Sequence, residues 1–196
     1  MSSTTLALAA SPSGMRSRVA WRVALAFAGS WMVAGLAQIE IKLPFTPVPI
    51  TGQTLGVLLV GASLGAGLGA VSMALYLLQG ALGLPFFSGG GSGADFLALS
   101  SATGGYLWGF VLSAAVVGAL AERRWDRSVR SSIGEMFLGE VILFAVAIPW
   151  LMQALDVSLA RALEFGLAPF VVGDTLKLLA AAGALPLAWR AVGRRT

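Results

Sequence analysis

The feature that most constrains this chain is a series of apolar runs, each about as long as a lipid bilayer is thick. The hydrocarbon core of a membrane is about 30 Å thick and takes roughly 20 residues as a helix. Runs near that length cover residues 19–38, 104–121, 133–153 and 169–189, and charge, proline or glycine bounds each of them. In a soluble domain these runs would leave large exposed apolar patches. They therefore predict membrane-spanning helices.

The stretch between Pro49 and Pro85 is also apolar, but it is too long for one span and tight for two. Dividing it at residues 65–69 gives helices at about 53–64 and 67–84. Both are short, and helices of this length cross a bilayer only where it thins or where neighbouring helices shield their ends. Six membrane helices are therefore predicted.

The composition agrees with a membrane domain and excludes several kinds of chemistry. Hydrophobic residues make up 57% of the chain and charged residues 11%, against about 25% charged residues in soluble domains. The mean hydropathy is +0.85. Because cysteine and histidine are both absent, the chain lacks thiol nucleophiles, histidine relays and the usual zinc ligands. Most hydrolytic mechanisms are therefore excluded.

Most basic residues lie at one side of the predicted membrane domain. If the N-terminus is cytoplasmic, six helices place the tails 1–18 and 191–196 and the connection 123–132 inside. In or next to these segments lie ten of the 13 lysines and arginines: Arg16, Arg18, Arg22, Arg123, Arg124, Arg127, Arg130, Arg190, Arg194 and Arg195. The positive-inside rule favours this orientation. The prediction is an all-α integral membrane protein, a six-transmembrane-helix bundle at 19–190 with both termini cytoplasmic. Its basic face would meet anionic membrane lipids or a partner protein and requires no nucleic acid.

Asp174 and Lys177 are charged residues within the last predicted helix. Such residues cost about 2.5–3.5 kcal/mol each on insertion scales and face cavities or partners rather than lipid. Three positions apart, they lie on one helix face and partly neutralise each other. Two interpretations are open: an ion pair that joins helices, or the polar floor of a ligand site entered from outside. Because a carboxylate accepts N–H groups and an ammonium donates to oxygens, the second interpretation favours an amphoteric organic solute.

Glu135 and Glu140 lie in the fifth predicted helix. We expect both to extend toward the basic connection and pair with its arginines, and a proton-relay role is the alternative. No G-x-x-x-x-G-K-[ST] phosphate loop occurs in the chain. Energy for uphill transport would therefore come from a partner or an ion gradient.

Small residues recur at four-residue spacing in two places, which lets helix backbones approach closely. Gly61, Gly65 and Gly69 have this spacing, and Ala24 and Ala28 have it in the first helix. We expect the glycines to pack within the bundle. The alanines suit internal packing and docking of another membrane protein equally well.

Five sequence segments, in order and at compatible spacing, resemble the BioY family, the biotin-specific substrate-capture (S) components of energy-coupling-factor (ECF) transporters. They are L-P-F-T-P-V-P-I-T-G-Q-T-L at 43–55, Y-L-L-Q-G-A-L-G-L-P-F-F at 76–87, T-G-G-Y-L at 103–107, I-P-W-L at 148–151 and G-D-T-L-K at 173–177. The resemblance extends from about residue 19 to residue 187. Ala102 stands where proline is commoner in the family.

This resemblance implies a six-helix bundle in the bacterial cytoplasmic membrane that captures biotin from outside with high affinity. It implies no enzymatic activity, no metal and no cofactor, so that the ligand is not changed chemically. The loop 44–51 resembles the family's lid, and the glycine-rich loop 85–103 resembles another wall of its pocket. The ligand-site residues expected on this basis are Asp174, Lys177, Tyr106, Gln53, Ser92, Asp95, Phe86 and Trp108. Which atoms of biotin meet Asp174 and Lys177 stays open.

The resemblance also implies partners. These are a transmembrane coupling (T) protein, expected to dock at Ala24 and Ala28, and two ATPase subunits, which alone use ATP. In the family, the loaded S component tilts in the membrane to present its pocket inward. Whether the protein forms a homo-oligomer stays open. The alternative is a stand-alone proton-coupled carrier of a vitamin or another small solute, with Glu140 and Asp174 as relay groups. A membrane enzyme with Tyr106 or a serine as nucleophile is disfavoured, because histidine and cysteine are absent.

Overall fold

The computed structural model describes residues 5–6 and 15–193. Its helices are α1 (Met15–Ala37), α2 (Gln53–Leu64), α3 (Ala66–Ala81), α4 (Gly104–Glu122), α5 (Val129–Leu155), α6 (Leu159–Gly166) and α7 (Val171–Gly193). The apolar runs predicted all the long helices, with shifted ends; α1, for example, begins at Met15 rather than at residue 19. Residues 1–4, 7–14 and 194–196 of the predicted tails, including Arg194 and Arg195, lie outside the described residues.

In the described part of the chain, four helices are long and apolar enough to cross a membrane: α1, α4, α5 and α7. The apolar helices α2 and α3 have 12 and 16 residues. At about 1.5 Å per residue they span roughly 18 and 24 Å, less than a hydrocarbon core. The predicted helical membrane bundle is confirmed, whereas the number of crossings and the side of the termini stay predictions.

The short helix α2 lies at the centre of the bundle. It contacts α1, α3, α4, α5 and α7, and most of its residues are buried. Gly65 alone separates it from α3 and has φ = 85°, a left-handed backbone angle that glycine adopts without strain. The carboxylate of Glu122, at the end of α4, accepts a hydrogen bond of 3.0 Å from the first backbone N–H of α3, at Ala66. The end of α4 thus shields the junction between these two short helices.

Glycines bring the backbones of α2, α3 and α4 together. A methyl group at Gly61 would lie 2.7 Å from the carbonyl oxygen of Ala114 in α4, and one at Gly69 would lie 3.2 Å from the Cα of Gly61. A methyl group at Gly118 would collide with the backbone of Gly65 and its neighbour. The glycine spacing therefore serves packing within the monomer.

The connection between α1 and α2 contains a small β-hairpin, which the all-α prediction missed. Strands β1 (Glu40–Ile41) and β2 (Ile50–Thr51) pair antiparallel, with Glu40 opposite Thr51. The three prolines between the strands prevent a helix there, and the isoleucine and threonine residues favour extended backbone. The Gln38 side-chain amide, just before the hairpin, donates to the carbonyl of Pro85 at 3.3 Å. The hairpin therefore lies beside the α3–α4 connection.

The short helix α6 is buried on a different face from the one its leucines suggested. Leu159 and Leu163 are one helical turn apart and share one side of α6, but both of these side chains are exposed. The small residues Ala162 and Gly166 face the bundle instead. A methyl group at Gly166 would lie 2.5 Å from the hydroxyl of Tyr106, so only a small residue allows this close approach.

The glutamates of α5 do not pair with the arginines of the α4–α5 connection. Within the described chain, Glu135 is 0% exposed and neither carboxylate oxygen has a hydrogen-bond partner. Arg127 instead pairs with its neighbour Asp126, and its guanidinium lies 3.2 Å from the ring centroid of Trp189 in α7. The Trp189 indole N–H also donates to Asp126. Burial raises the pKa of Asp126, although these two partners oppose the shift.

We expect Gly118→Ala to lower the stability of the bundle, because the added methyl group meets rigid backbone of α3. Overpacking of this kind costs about 1–3 kcal/mol. Gly183→Ala is the matched control in α7, since nothing lies within 4 Å of its added methyl group. Thermal unfolding in detergent should show a lower midpoint for Gly118→Ala only. Equal midpoints for the two variants would contradict the close packing of α4 on α3.

Candidate ligand-binding site

A cavity lies at the end of the bundle where α2, α4 and α7 begin. It encloses about 500 Å³, including the space at its mouth. Its walls come from the hairpin, the α3–α4 connection and four helices, and consist of Val48, Pro49, Thr51, Gln53, Thr54, Phe87, Ser88, Phe96, Thr103, Tyr106, Leu107, Phe110, Phe144, Phe170, Asp174 and Lys177.

The floor of the cavity carries an ion pair between Asp174 and Lys177. The Lys177 ammonium donates to Oδ1 of Asp174 at 2.8 Å, to the hydroxyl of Thr54 at 3.1 Å and to the backbone carbonyl of Thr51 at 2.5 Å. Thr54 itself donates to the same Oδ1 at 3.0 Å. The pair therefore joins α7 to the start of α2 and to strand β2.

The two charged groups have different capacities left for a ligand. An ammonium has three N–H donors, and those of Lys177 all have protein acceptors. Asp174 is 2% exposed, and its Oδ2 has no hydrogen-bond partner among the described residues. A buried carboxylate oxygen without a donor is energetically costly. The free acceptor of the site is thus Oδ2 of Asp174.

Gln53 is oriented by a second set of hydrogen bonds. Its amide oxygen accepts from the hydroxyl of Thr51 at 2.7 Å, and its amide nitrogen donates to the hydroxyl of Tyr76 at 2.5 Å. Tyr76 in turn donates to the carbonyl of Phe86 at 3.2 Å. The chain of bonds connects the start of α2 with the α3–α4 connection, so Gln53 presents a side chain that is already held in place.

Aromatic rings form two opposite parts of the cavity wall. Tyr106 stacks on Phe170 with ring centroids 5.9 Å apart, and Phe144 meets both rings edge-on. Phe87 and Phe96 pack with centroids 5.1 Å apart. The hydroxyl of Tyr106 donates to the carbonyl of Gly166 at 2.6 Å. The site therefore offers aromatic faces to an apolar ring system.

Four of the eight predicted ligand residues line the cavity: Asp174, Lys177, Tyr106 and Gln53. The other four do not. Ser92 and Asp95 are exposed on the α3–α4 connection, where the cavity-lining residues are their neighbours Ser88 and Phe96.

Phe86 and Trp108, the two aromatic residues that were predicted at the site but do not line the cavity, point away from it. Phe86 packs edge-on against Trp31 of α1, with centroids 5.6 Å apart, and its neighbour Phe87 faces the site instead because the chain is extended there. Trp108 is 45% exposed and donates to the carbonyl of Leu97. On α4, Trp108 follows the cavity-lining Tyr106 by two positions, so its side chain is turned by about 200° around the helix axis.

The sequence contained signals for some lining residues that were not predicted. Phe170 precedes Asp174 by one helical turn and therefore lies on the same face. Thr54 directly follows Gln53 and contacts Asp174. Phe144 had no such signal, because α5 contains two phenylalanines, Phe137 and Phe144, and only the packing decides which one reaches the cavity. No cluster of three metal-ligating side chains occurs among the residues that the structure describes.

Comparison with known proteins assigns the chain to a family. The model of the BioY family matches residues 7–194. The chain belongs to the BioY family. The curated relative biotin transporter BioY of Rhizobium etli is 38% identical over 149 residues, which cover 72% of this chain and 78% of the relative. The biotin transporter BioY of Thermotoga maritima is 36% identical over 159 residues, with coverage of 81% and 86%.

A solved structure shares the fold. The chain superposes with a TM-score of 0.80 on a protein described as the S-component for biotin from an ECF-type ABC transporter. The match covers 91% of this chain and 95% of the other, at 21% sequence identity. Because the sequence identity is low, this match shows the fold alone, which is a helical membrane bundle.

We expect Lys177→Met to destabilise the ligand-free protein by about 3–5 kcal/mol, because it leaves the buried carboxylate of Asp174 without its counter-ion. The double variant Asp174→Asn/Lys177→Met should regain part of this loss, since neither charge is then left unpaired. Thermal or denaturant unfolding in detergent measures both. A double variant less stable than Lys177→Met would argue against the ion pair as the stabilising feature.

Proposed function

We propose that this BioY-family protein captures biotin from outside the cell and takes it up across the cytoplasmic membrane as the S component of an ECF transporter. The observation that carries the proposal is the free Oδ2 of Asp174 in the wall of an aromatic-lined cavity. Two further findings support it: the names of the curated relatives, and the fold shared with an S-component for biotin.

The chemistry of biotin suits this cavity. Its ureido ring carries two N–H donors and one carbonyl, and its bicycle is otherwise apolar. We infer that Oδ2 of Asp174 accepts a hydrogen bond from a ureido N–H. Lys177 meanwhile holds the Asp174 carboxylate in place through its other oxygen, Oδ1. The stacked rings of Tyr106 and Phe170 pack against the bicycle. No group in this arrangement needs to change the ligand, and the curated relatives are named transporters.

We propose six membrane crossings with both termini in the cytoplasm. The cavity lies where α4 begins, and the exposed arginines Arg123, Arg124 and Arg127 follow its other end. The positive-inside rule puts this basic end in the cytoplasm, next to anionic membrane lipids. The cavity then opens to the outside, the side from which a captured vitamin arrives.

Energy is proposed to come from partners, namely a transmembrane coupling protein and two ATPase subunits. Ala24 and Ala28 are exposed on α1, so their small side chains are free to receive a helix of a coupling protein. Uptake by cells that lack every coupling ATPase would contradict this part of the proposal and would favour a carrier that acts alone.

Isothermal titration of detergent-purified protein should show biotin binding at about one ligand per chain. We expect Asp174→Asn and Lys177→Ala each to weaken binding by more than about tenfold, or about 1.4 kcal/mol. Asp174→Asn removes the charged acceptor of the site, and Lys177→Ala removes the counter-ion of Asp174. Asp95→Asn is the matched control, since Asp95 is exposed outside the cavity.

The titration can fail in two informative ways. Absence of biotin binding by the folded wild-type protein would overturn the proposed ligand. Unchanged affinity in both charge variants would leave the ligand in place and remove Asp174 and Lys177 from its site.

We expect Ala28→Leu to prevent co-purification with the coupling protein while biotin binding persists, because the added side chain blocks close approach of a partner helix. Ala180→Leu is the control, since Ala180 is an equally small, exposed residue on α7. Affinity purification from cells that express all components measures the association. Equal recovery of both variants would exclude Ala28 from the interface.

A further inference from the structure

A second cavity opens on the outer surface of the bundle, between α5 and α7. It encloses about 780 Å³, including its open mouth. Its rim is apolar and exposed, with Phe137 and Val141 on α5 and Val171 on α7. Glu140 and Asp174 are the charged residues that line it. A carboxyl group of α5 thus shares a cavity with the aspartate of the ligand site.

Asp174 lies in the wall between the two cavities, since it lines both of them. Within the described chain, one oxygen of each carboxyl group is buried without a hydrogen-bond partner: Oδ2 of Asp174 and Oε1 of Glu140. Glu140 also interacts electrostatically with Asp174 and Lys177. Two ionised carboxylates placed in this way would repel each other, and a single proton between them would satisfy both unpaired oxygens.

The charges around Glu140 favour a bound proton. The Asp174–Lys177 pair is already neutral, so an ionised Glu140 would add an uncompensated charge beside lipid. The other charged groups on elements packed against α5 interact elsewhere. They are Glu122, which caps α3, Arg161, which pairs with Glu164, Asp126 and Arg127, which pair at the other end of the bundle, and Arg190, which is exposed in the last turn of α7.

We propose that Glu140 carries a proton and donates a hydrogen bond to Oδ2 of Asp174, directly or through one water molecule. Glu140 is thereby a positioning residue that holds the Asp174 carboxylate from the lipid side while the ligand approaches from the main cavity. An oxygen of a carboxylate has two lone pairs, so the bond from Glu140 and a bond from a ligand N–H are compatible. The ligand part of this inference rests on the proposed function.

Loss of the proton should weaken ligand binding. Ionised Glu140 cannot donate, and its repulsion would turn the Asp174 carboxylate away from the position that suits the ligand. Affinity should therefore fall as the pH rises. A glutamine at this position has an N–H donor that does not titrate, so Glu140→Gln should remove the pH dependence. Glu140→Ala has no donor and should bind weakly at every pH.

Biotinamide is the probe for the binding test, because its amide replaces the biotin carboxylate and removes the titration of the ligand itself. Its dissociation constant is measured between about pH 5.5 and about pH 9, where buried carboxyl groups are known to lose their protons. We expect the wild-type affinity to fall by about fivefold or more across this range, and that of Glu140→Gln to stay level. Glu140→Ala should bind on the order of tenfold more weakly at the acidic end, as for one lost hydrogen bond to a charged group.

Glu135→Gln is the matched control. Glu135 is a buried glutamate of the same helix that lines neither cavity, so this variant should keep the wild-type pH profile. Identical profiles for wild type and Glu140→Gln would overturn the proposal. A level profile for Glu135→Gln would overturn it as well, because the effect would not be specific to Glu140.

Infrared spectroscopy of the ligand-free protein tests the proton itself. The carbonyl stretching band of protonated carboxyl groups should be weaker in Glu140→Gln than in wild type, and this difference should vanish as the pH rises. Glu135 is also a buried carboxyl group, so the difference between the two proteins, and not the band itself, reports Glu140. An unchanged band in that variant would overturn the assignment whether or not biotinamide binds. Failure of wild type to bind biotinamide or biotin would count against the proposed function, while the infrared result would still decide the state of Glu140.

Discussion

The burial of the Asp174 carboxylate is the constraint on which the arrangement of this protein depends. A carboxylate that is 2% exposed inside a membrane bundle needs donors, and it finds them in Lys177 and Thr54. Because Lys177 also holds the backbone of Thr51, the last helix, the central helix and the hairpin are tied together at one point. Only Oδ2 of this carboxylate is left without a partner in the described chain, and Asp174 lines the candidate ligand cavity.

The central helix α2 explains how a bundle with two short helices holds this site in place. Contacts with five other helices cover it, and Gly61 and Gly118 lack the side chains that would keep α4 away from α2 and from the start of α3. The starts of α2, α4 and α7 consequently lie around the cavity, while the arginine-rich connection lies at the opposite end. This polarity separates a ligand-binding end from a basic end, as the proposed capture from outside requires.

Sequence patterns predicted the long helices and four residues that line the cavity, whereas Phe86 and Trp108 lie outside it. Neighbouring positions explain both differences. Phe86 and Phe87 are neighbours, yet only Phe87 faces the cavity, because an extended chain alternates its sides. Trp108 is two residues from Tyr106 and points out of the bundle, since each helical step turns by about 100°. A motif identifies such a segment, but a shift of one position changes which side chain reaches the site.

The sequence by itself determined that the chain is a bundle of apolar helices, approximately where the long helices lie, and that Asp174 and Lys177 share one helix face. Hydropathy, proline placement and helical periodicity are local properties, so they can be read along the chain. The tertiary structure alone decided that Lys177 has no donor left, that Oδ2 of Asp174 is free, and that Glu140 shares a cavity with Asp174 instead of pairing with arginine. Those properties depend on contacts between helices that are distant in the sequence, and no local pattern records them.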